Sequence, residues 1–382
     1  MEPLPQKKLR GNATDESSTE ECTKISEKCS NQGLTYDVLR IIFKYLNGME
    51  LSNAAMVCRS WLEAANNEKQ TRGPTYLMEY CKMQCSMELV KTKIIKNLRI
   101  KPVLGLFFTS PFVPFIKKDC HCKVLPPNCD TVTLGTYGII IDSTEIENSS
   151  EEIVCACLPE IPGVTIKTFA IGDNSTKTYD ISQSVKKYSK DIKEFLSTPE
   201  NNPDMPKCLL LFSDLRGRSS AIQISNSLRR RYAANKLSVW GGVATDLLVC
   251  NSKDSKNNKC RNFAICVVAL IGSVDTWSIV VDKSYKTRER IEQRLKSFKN
   301  RICLKKHSMG FMFACCARGE RMFDVCNTES TIFKQLFPEV PLVGCFGDGE
   351  FGINSLPSLV SSRKKKNLYN ETTTVFLIIT YG

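Results

Sequence analysis

The chain has 382 residues, of which 42% are hydrophobic and 24% charged, and a formal net charge of +13. That length exceeds one compact core and suits two or three domains, and the balance is that of an ordinary water-soluble globular protein. No uninterrupted apolar run reaches the roughly 18 to 20 residues of a spanning helix, and the polar stretch Met1–Leu34 lacks the apolar core of a secretory leader, so neither a membrane nor an export route is expected. Of the 19 cysteines, Cys58, Cys155, Cys157, Cys208, Cys266, Cys315 and Cys345 sit in apolar runs, where a thiol behaves as a small hydrophobe. A reducing, intracellular setting is expected, in the cytoplasm, the nucleus or both.

Residues 1–30 are rich in Glu, Ser, Thr and Lys and read as a disordered tail. From Leu34 the composition turns abruptly apolar at helical spacing. Thr35 is placed to cap a first helix, with Asp37 near its positive end. Val38, Ile42 and Tyr45 share one face of it and Leu39, Phe43 and Leu46 an adjacent one, so the apolar stripe is unusually wide. Asn47-Gly48 signals a turn, after which Leu51, Ala54, Val57, Cys58, Trp61 and Leu62 continue the spacing. A unit of about 40 residues is marginal alone, so apolar positions on two faces imply docking to the rest of the chain or to a partner.

Gly73-Pro74 breaks the pattern, and Thr75–Leu98 reads as a further helix. Beyond Pro102, strands are expected at Val103–Phe108, Thr131–Ile141, Ile153–Leu158, Lys207–Phe212, Leu237–Trp240, Phe263–Ile271, Trp277–Val281, Gly310–Cys316, Leu342–Phe346 and Thr373–Thr380. Helices are expected at Ser220–Ala234, Thr287–Arg301 and Thr328–Phe337, the last stopped by Pro338. Interleaving of this kind points to layered α/β (α+β) architecture. The basic clusters Lys286–Lys306, Arg229–Arg231 and Arg363–Lys366 read first as solvated faces, and the third also as a nuclear import signal.

The segment Leu34, Val38, Leu39, Ile42, Tyr45, Leu46, then Glu50-Leu51, then Val57-Cys58-Arg59-Ser60-Trp61 resembles an F-box. That resemblance implies a three-helix module over residues 31–68 that docks on the Skp-type adaptor of an SCF ubiquitin ligase. Leu34, Val38, Leu39, Ile42, Leu46, Leu51, Val57, Cys58 and Trp61 would then be the adaptor-binding set. Thr35 and Tyr36 depart from the family, which usually has proline and an acidic residue there.

Gly347-Asp-Gly349-Glu-Phe-Gly352 follows a strand and has the spacing of a dinucleotide fingerprint. Asp348 and Glu350 would repel a pyrophosphate, however, and the sequence through Pro357 does not continue into a helix. The glycines read instead as a turn needing positive φ, or as a loop for a small ligand or partner. Gly241-Gly242 is another such place, and Arg318 at a strand end is either a ligand-facing cation or a solvated one. Gly310–Cys315, Arg318-Gly319, Phe333–Pro338 and Val340–Gly352 resemble the FIST carboxy-terminal domain. Pro102–Phe108, Leu209–Phe212 and Trp240–Gly242 are similar to the accompanying FIST amino-terminal region. The resemblance implies a helical connector at 69–100, a FIST amino-terminal domain at 101–240 and a FIST carboxy-terminal domain at 241–382, both layered mixed-sheet domains. Gly241, Gly242, Arg318, Gly347, Gly349, Glu350 and Gly352 are its candidates for contact with a client or ligand.

An enzyme is not expected. Cys120-His121-Cys122 with Cys129 lacks the C-x-x-C pairs that direct two thiols at one zinc ion, and no such pair exists anywhere, which also excludes a RING. Neither His121 nor His307 has an evident orienting partner for nucleophilic chemistry, and no G-x-S-x-G or P-loop occurs. No cofactor or metal is implied. The leading expectation is a non-catalytic substrate receptor that joins a Skp-type adaptor and cullin–RING ligase to client proteins for ubiquitination and proteasomal degradation. The alternative is an intracellular FIST sensor of small ligands with a degenerate F-box. A nucleic-acid partner is not expected, because no aromatic residues interleave with the basic clusters.

Overall fold

The computed structural model describes residues 34–80, 87–110, 125–126, 128–147, 152–173, 181–197, 205–232, 236–251, 261–356 and 368–382. The amino-terminal tail, Cys120-His121-Cys122 and Arg363–Lys366 lie outside them. Three helices come first: α1 (Tyr36–Phe43), α2 (Gly48–Ala54) and α3 (Arg59–Thr71). Leu39, Phe43, Leu51, Ala54, Ala64 and Ala65 form their shared core, with Trp61 edge-on to Phe43 at 5.4 Å. Thr35 stands at the N-cap of α1, but its side chain makes no capping bond. Asn47 is the cap that functions: its Oδ1 accepts from the amides of Met49 and Glu50 at 3.0 and 2.9 Å, and Glu50 Oε2 accepts from the Asn47 amide at 2.8 Å. This reciprocal pair starts α2 where a turn was expected.

The remainder is a pseudo-threefold repeat, which no short-period signal in the sequence reveals. Its first unit contains β1 (Thr75–Tyr80), α4 (Met87–Asn97), β2 (Pro102–Thr109), β3 (Asp130–Gly135), β4 (Gly138–Ile141), β5 (Thr144–Glu147) and β6 (Glu152–Pro159). The second contains β7 (Val164–Asp173), α5 (Ile181–Leu196), β8 (Lys207–Ser213), α6 (Arg218–Arg231), β9 (Leu237–Val243), β10 (Asp246–Cys250) and β11 (Arg261–Gly272). The third contains β12 (Asp275–Val281), α7 (Arg288–Lys299), β13 (His307–Cys315), α8 (Glu320–Phe323), α9 (Thr328–Leu336), β14 (Leu342–Gly347), β15 (Glu350–Gly352), β16 (Tyr369–Asn370) and β17 (Thr374–Tyr381).

Pairing repeats in each unit. The last strand lies antiparallel between the first and second strands: β6 between β1 and β2, β11 between β7 and β8, β17 between β12 and β13. The second and third strands are parallel: β2 with β3, β8 with β9, β13 with β14. The third strand of each unit then takes an antiparallel neighbour from the next unit, β3 with β10, β9 with β15 and β14 with β4. A short β10–β11 contact joins the first two assemblies into one 11-stranded sheet, and the third is a 6-stranded sheet.

The three units meet around Trp240. Its buried ring packs against Phe108 of the first, Phe212 of the second, and Phe311 and Phe313 of the third, with centroids 5.2 to 6.3 Å apart. Its Nε1 donates to the Val375 carbonyl at 3.1 Å, the partner a buried indole needs. On the outer faces, α5 and α6 cover β8, β9 and β11, while α7 and α9 cover β13, β14 and β17.

Several expectations are corrected here. Thr75–Leu98 is not one helix. Its first residues form β1, because Tyr76 and Met78 alternate toward one core and Leu77 toward another. Thr131–Ile141 breaks at Thr136-Tyr137, where the chain crosses from one sheet to the other. The expected domain boundary at 240/241 falls inside β9, in the middle of the second unit. Among the described cysteines, Cys250 is disulfide-bonded, an exception to the fully reduced reading.

Candidate functional site: the outer face of the helical module

Helix α1 is apolar on both sides, and the structure decides which side faces inward. Leu39 and Phe43, four residues apart, are fully buried in the module core, and Leu46 packs at its edge. Val38, Ile41, Ile42 and Tyr45, at spacings of three, one and three, form the opposite stripe and are exposed, Ile41 to 58% and Tyr45 to 84%. Beyond α1, Leu34, Met49, Met56 (77%), Val57 (61%) and Leu62 are also exposed. Large apolar side chains left in water in such density mark an interaction surface.

The adaptor-binding set expected from the sequence therefore divides. Leu34, Val38, Ile42, Val57 and Cys58 face solvent. Leu39 and Leu51 are corrected to core positions, fully buried and unable to touch a partner without opening the module. Leu46 and Trp61 are half-buried against that core. Ile41, Tyr45, Met49, Met56 and Leu62 belong to the exposed surface and were missing from the set. The signal for them was present, since two apolar stripes on one helix mean that one stripe must face outward.

Among the described residues, hydrogen bonds to main-chain carbonyls join the module to the repeat. The buried Arg72 guanidinium bonds Glu68 Oε1 at 2.9 Å, the Arg99 carbonyl at 2.5 Å and the Phe43 carbonyl at 2.7 Å. Burial lowers its pKa, and Glu68 works against that shift. Arg99 reaches back to the Lys44 carbonyl. The Gly48 amide donates to the Leu98 carbonyl at 2.9 Å, an approach so close that a Cβ at Gly48 would collide with the Ile100 carbonyl. These contacts sit behind α1 and leave its outer stripe free.

The client-or-ligand candidates of the carboxy-terminal part prove to be sealed. Arg318 is fully buried and bidentate with Glu329, Nε to Oε2 at 2.9 Å and Nη2 to Oε1 at 2.8 Å. Thr374 Oγ1 donates to the same carboxylate at 2.6 Å. Burial opposes the Arg318 charge, but Glu329 outweighs it and the net shift is upward. Arg318 is thus neither a ligand-facing nor a solvated cation; it ties the end of β13 to α9. Glu350 is also fully buried. Its Oε2 accepts from the Thr373 amide and hydroxyl at 3.0 and 2.7 Å, and burial pushes its pKa up to about 8.

Gly241 and Gly349 have φ of +142° and +96°, and a side chain at either would strike the Leu211 carbonyl or the Tyr369 ring. Gly242 and Gly347 pack under Phe313, and Gly352 under Val375. Of the three glycines from Gly347 to Gly352 only Gly349 takes the positive φ expected of several; Gly347 and Gly352 lie within β14 and β15. Among the described residues, no group of three or more His, Cys, Asp or Glu side chains is arranged to hold a metal ion, and no helix is long and apolar enough to cross a membrane.

Residues 32–72 match the F-box domain family, and the helices and exposed stripe described above fall within that match. The chain carries an F-box domain. Over nearly its whole length it is also similar to two proteins called F-box only protein 22, from Homo sapiens and from Pongo abelii. Each is 22% identical over 98% of this chain and 97% of the relative. Among solved structures, a cyanuric acid hydrolase from A. caulinodans superposes on 81% of this chain and 99% of its own at 7% identity, with a TM-score of 0.35, a likeness too slight to carry any argument.

Proposed function

We propose that the chain is the substrate-recognition subunit of an SCF ubiquitin ligase. The observation that carries this reading is the F-box domain at residues 32–72, whose first helix leaves Val38, Ile41 and Ile42 in solvent, with Tyr45 in the turn just after it. That stripe docks on a Skp-type adaptor, and the adaptor joins the chain to a cullin–RING ligase. The repeat from β1 to β17, read as FIST amino- and carboxy-terminal regions, holds the client. Its contribution to ubiquitination is positional, because it raises the effective concentration of client lysines near a charged conjugating enzyme. Degradation of the client by the proteasome follows in the cytoplasm, the nucleus or both. The burial of Arg318, Glu350 and the glycines weighs against the alternative of a small-ligand sensor at those positions.

The test is co-expression of the full chain with a Skp-type adaptor and a cullin subunit, followed by size-exclusion chromatography. Stoichiometric co-elution of all three is expected. A chain that elutes folded and alone would overturn the assignment.

A further inference from the structure

The second repeat unit carries an open groove between its two outer helices. In the third unit the outer helices α7 and α9 close on each other through aromatic side chains, Phe298 against Phe337 at 6.3 Å. In the second unit the corresponding helices α5 and α6 leave an open groove of about 870 Å³. Five cations line it, Lys186, Lys190, Lys193, Arg230 and Arg231, against the single carboxylate of Glu194. Lys186 and Arg230 are exposed and have no ion-pair partner among the described residues.

Side chains also bridge the two helices: Lys193 donates to Ser227, and Arg231 Nη2 donates to Ser197 Oγ at 3.2 Å. The α5 lysines at positions 186, 190 and 193 fall on one face over about 10 Å at a rise of about 1.5 Å per residue. An extended peptide covers that span in about three residues. Among the described lining residues none is aromatic, so these side chains offer no platform for stacking nucleic-acid bases.

We propose that the α5–α6 groove is a docking site for an acidic peptide segment of a partner protein. Resting on the receptor reading above, this identifies the kind of client sequence that the repeat selects. The charge complementarity commits the groove to carboxylate or phosphoserine side chains, with the exposed lysines steering encounter and Arg230 and Arg231 closing the far wall.

The test uses the full chain and a short fluorescein-labelled peptide of alternating Glu and Ser, read by fluorescence anisotropy. The same peptide with Gln for Glu, and a labelled single-stranded oligonucleotide of similar length, serve as comparisons. Saturable binding of the acidic peptide is expected, and it should weaken by about tenfold or more in the triple variant Lys186→Glu, Lys190→Glu, Arg230→Glu. All three positions are exposed, so the melting temperature and adaptor co-elution of that variant should match the parent. Equal binding of the Gln peptide, equal binding by the folded variant, or no saturable binding would overturn the proposal. So would tighter, variant-sensitive binding of the oligonucleotide, which would make the groove a nucleic-acid surface. Because the titration needs no adaptor, its failure is distinguishable from failure of the ligase assignment.

Discussion

Replacing Tyr45 with alanine separates docking from folding. At 84% exposure the Tyr45 ring contributes little to the folded module, and truncation of such a surface side chain changes stability by within about 0.5 kcal/mol. If the α1 stripe docks on the adaptor, that ring becomes a buried aromatic anchor, and its loss should cost about 2 kcal/mol of binding, or roughly 30-fold in affinity. Phe43→Ala, two residues away, is the opposite case. Its ring is fully buried between Leu39 and Trp61, and deletion should cost about 3 to 5 kcal/mol, enough to unfold a three-helix unit this small. Calorimetric titration with a Skp-type adaptor, beside thermal melts of each variant, reads both quantities. Tyr45→Ala should bind weakly and melt normally, whereas Phe43→Ala should lose both. An affinity for Tyr45→Ala within about twofold of the parent, or a melting loss comparable to that of Phe43→Ala, would refute the assignment of faces.

Other variants probe the joints of the fold. Arg318→Met leaves the Glu329 carboxylate buried with one hydroxyl donor from Thr374, and chemical denaturation should show a loss of about 3 to 5 kcal/mol; the double variant with Glu329→Leu should recover much of it. Gly48→Val should push the module off the Ile100 carbonyl, so limited proteolysis between the module and β2 should quicken while adaptor binding persists. Burial raises the pKa of Glu145 to about 7 and that of Glu350 to about 8. The folded state therefore holds protons that the unfolded chain has released above about pH 4.5, and the stability from these groups is full below that pH. It falls as pH rises through about 7 and then 8. Melting temperatures should decline over that window, and the slope should flatten in Glu145→Gln and Glu350→Gln.

Most strands were legible because their apolar runs are continuous and bounded by turn residues. Strand β7 was not, since Thr165, Lys167 and Thr168 interrupt a run whose Phe169 and Ile171 are buried under α5. Helix α5 hides in a Lys- and Ser-rich stretch, although Val185, Ile192 and Leu196 mark its inner face. The repeat is carried by strand pairing and not by shared residues, and added strands such as β5 and β16 blur its period. At the docking module the sequence showed a helix with too much apolar surface but not which side faced inward. That choice depends on where Arg72 and Gly48 anchor the module, contacts made with residues some 27 to 50 positions away. Arg318 looked like a candidate ligand contact because its partner Glu329 comes from a different element, which spacing cannot reveal.

The most direct test of the docking surface is amide hydrogen exchange of the full chain with and without a Skp-type adaptor. Binding through the outer stripe predicts slowed exchange across α1 and the segment from Met49 to Leu62, with β11 to β17 unchanged. Unchanged exchange over residues 36–62, or protection confined to the repeat, would contradict it.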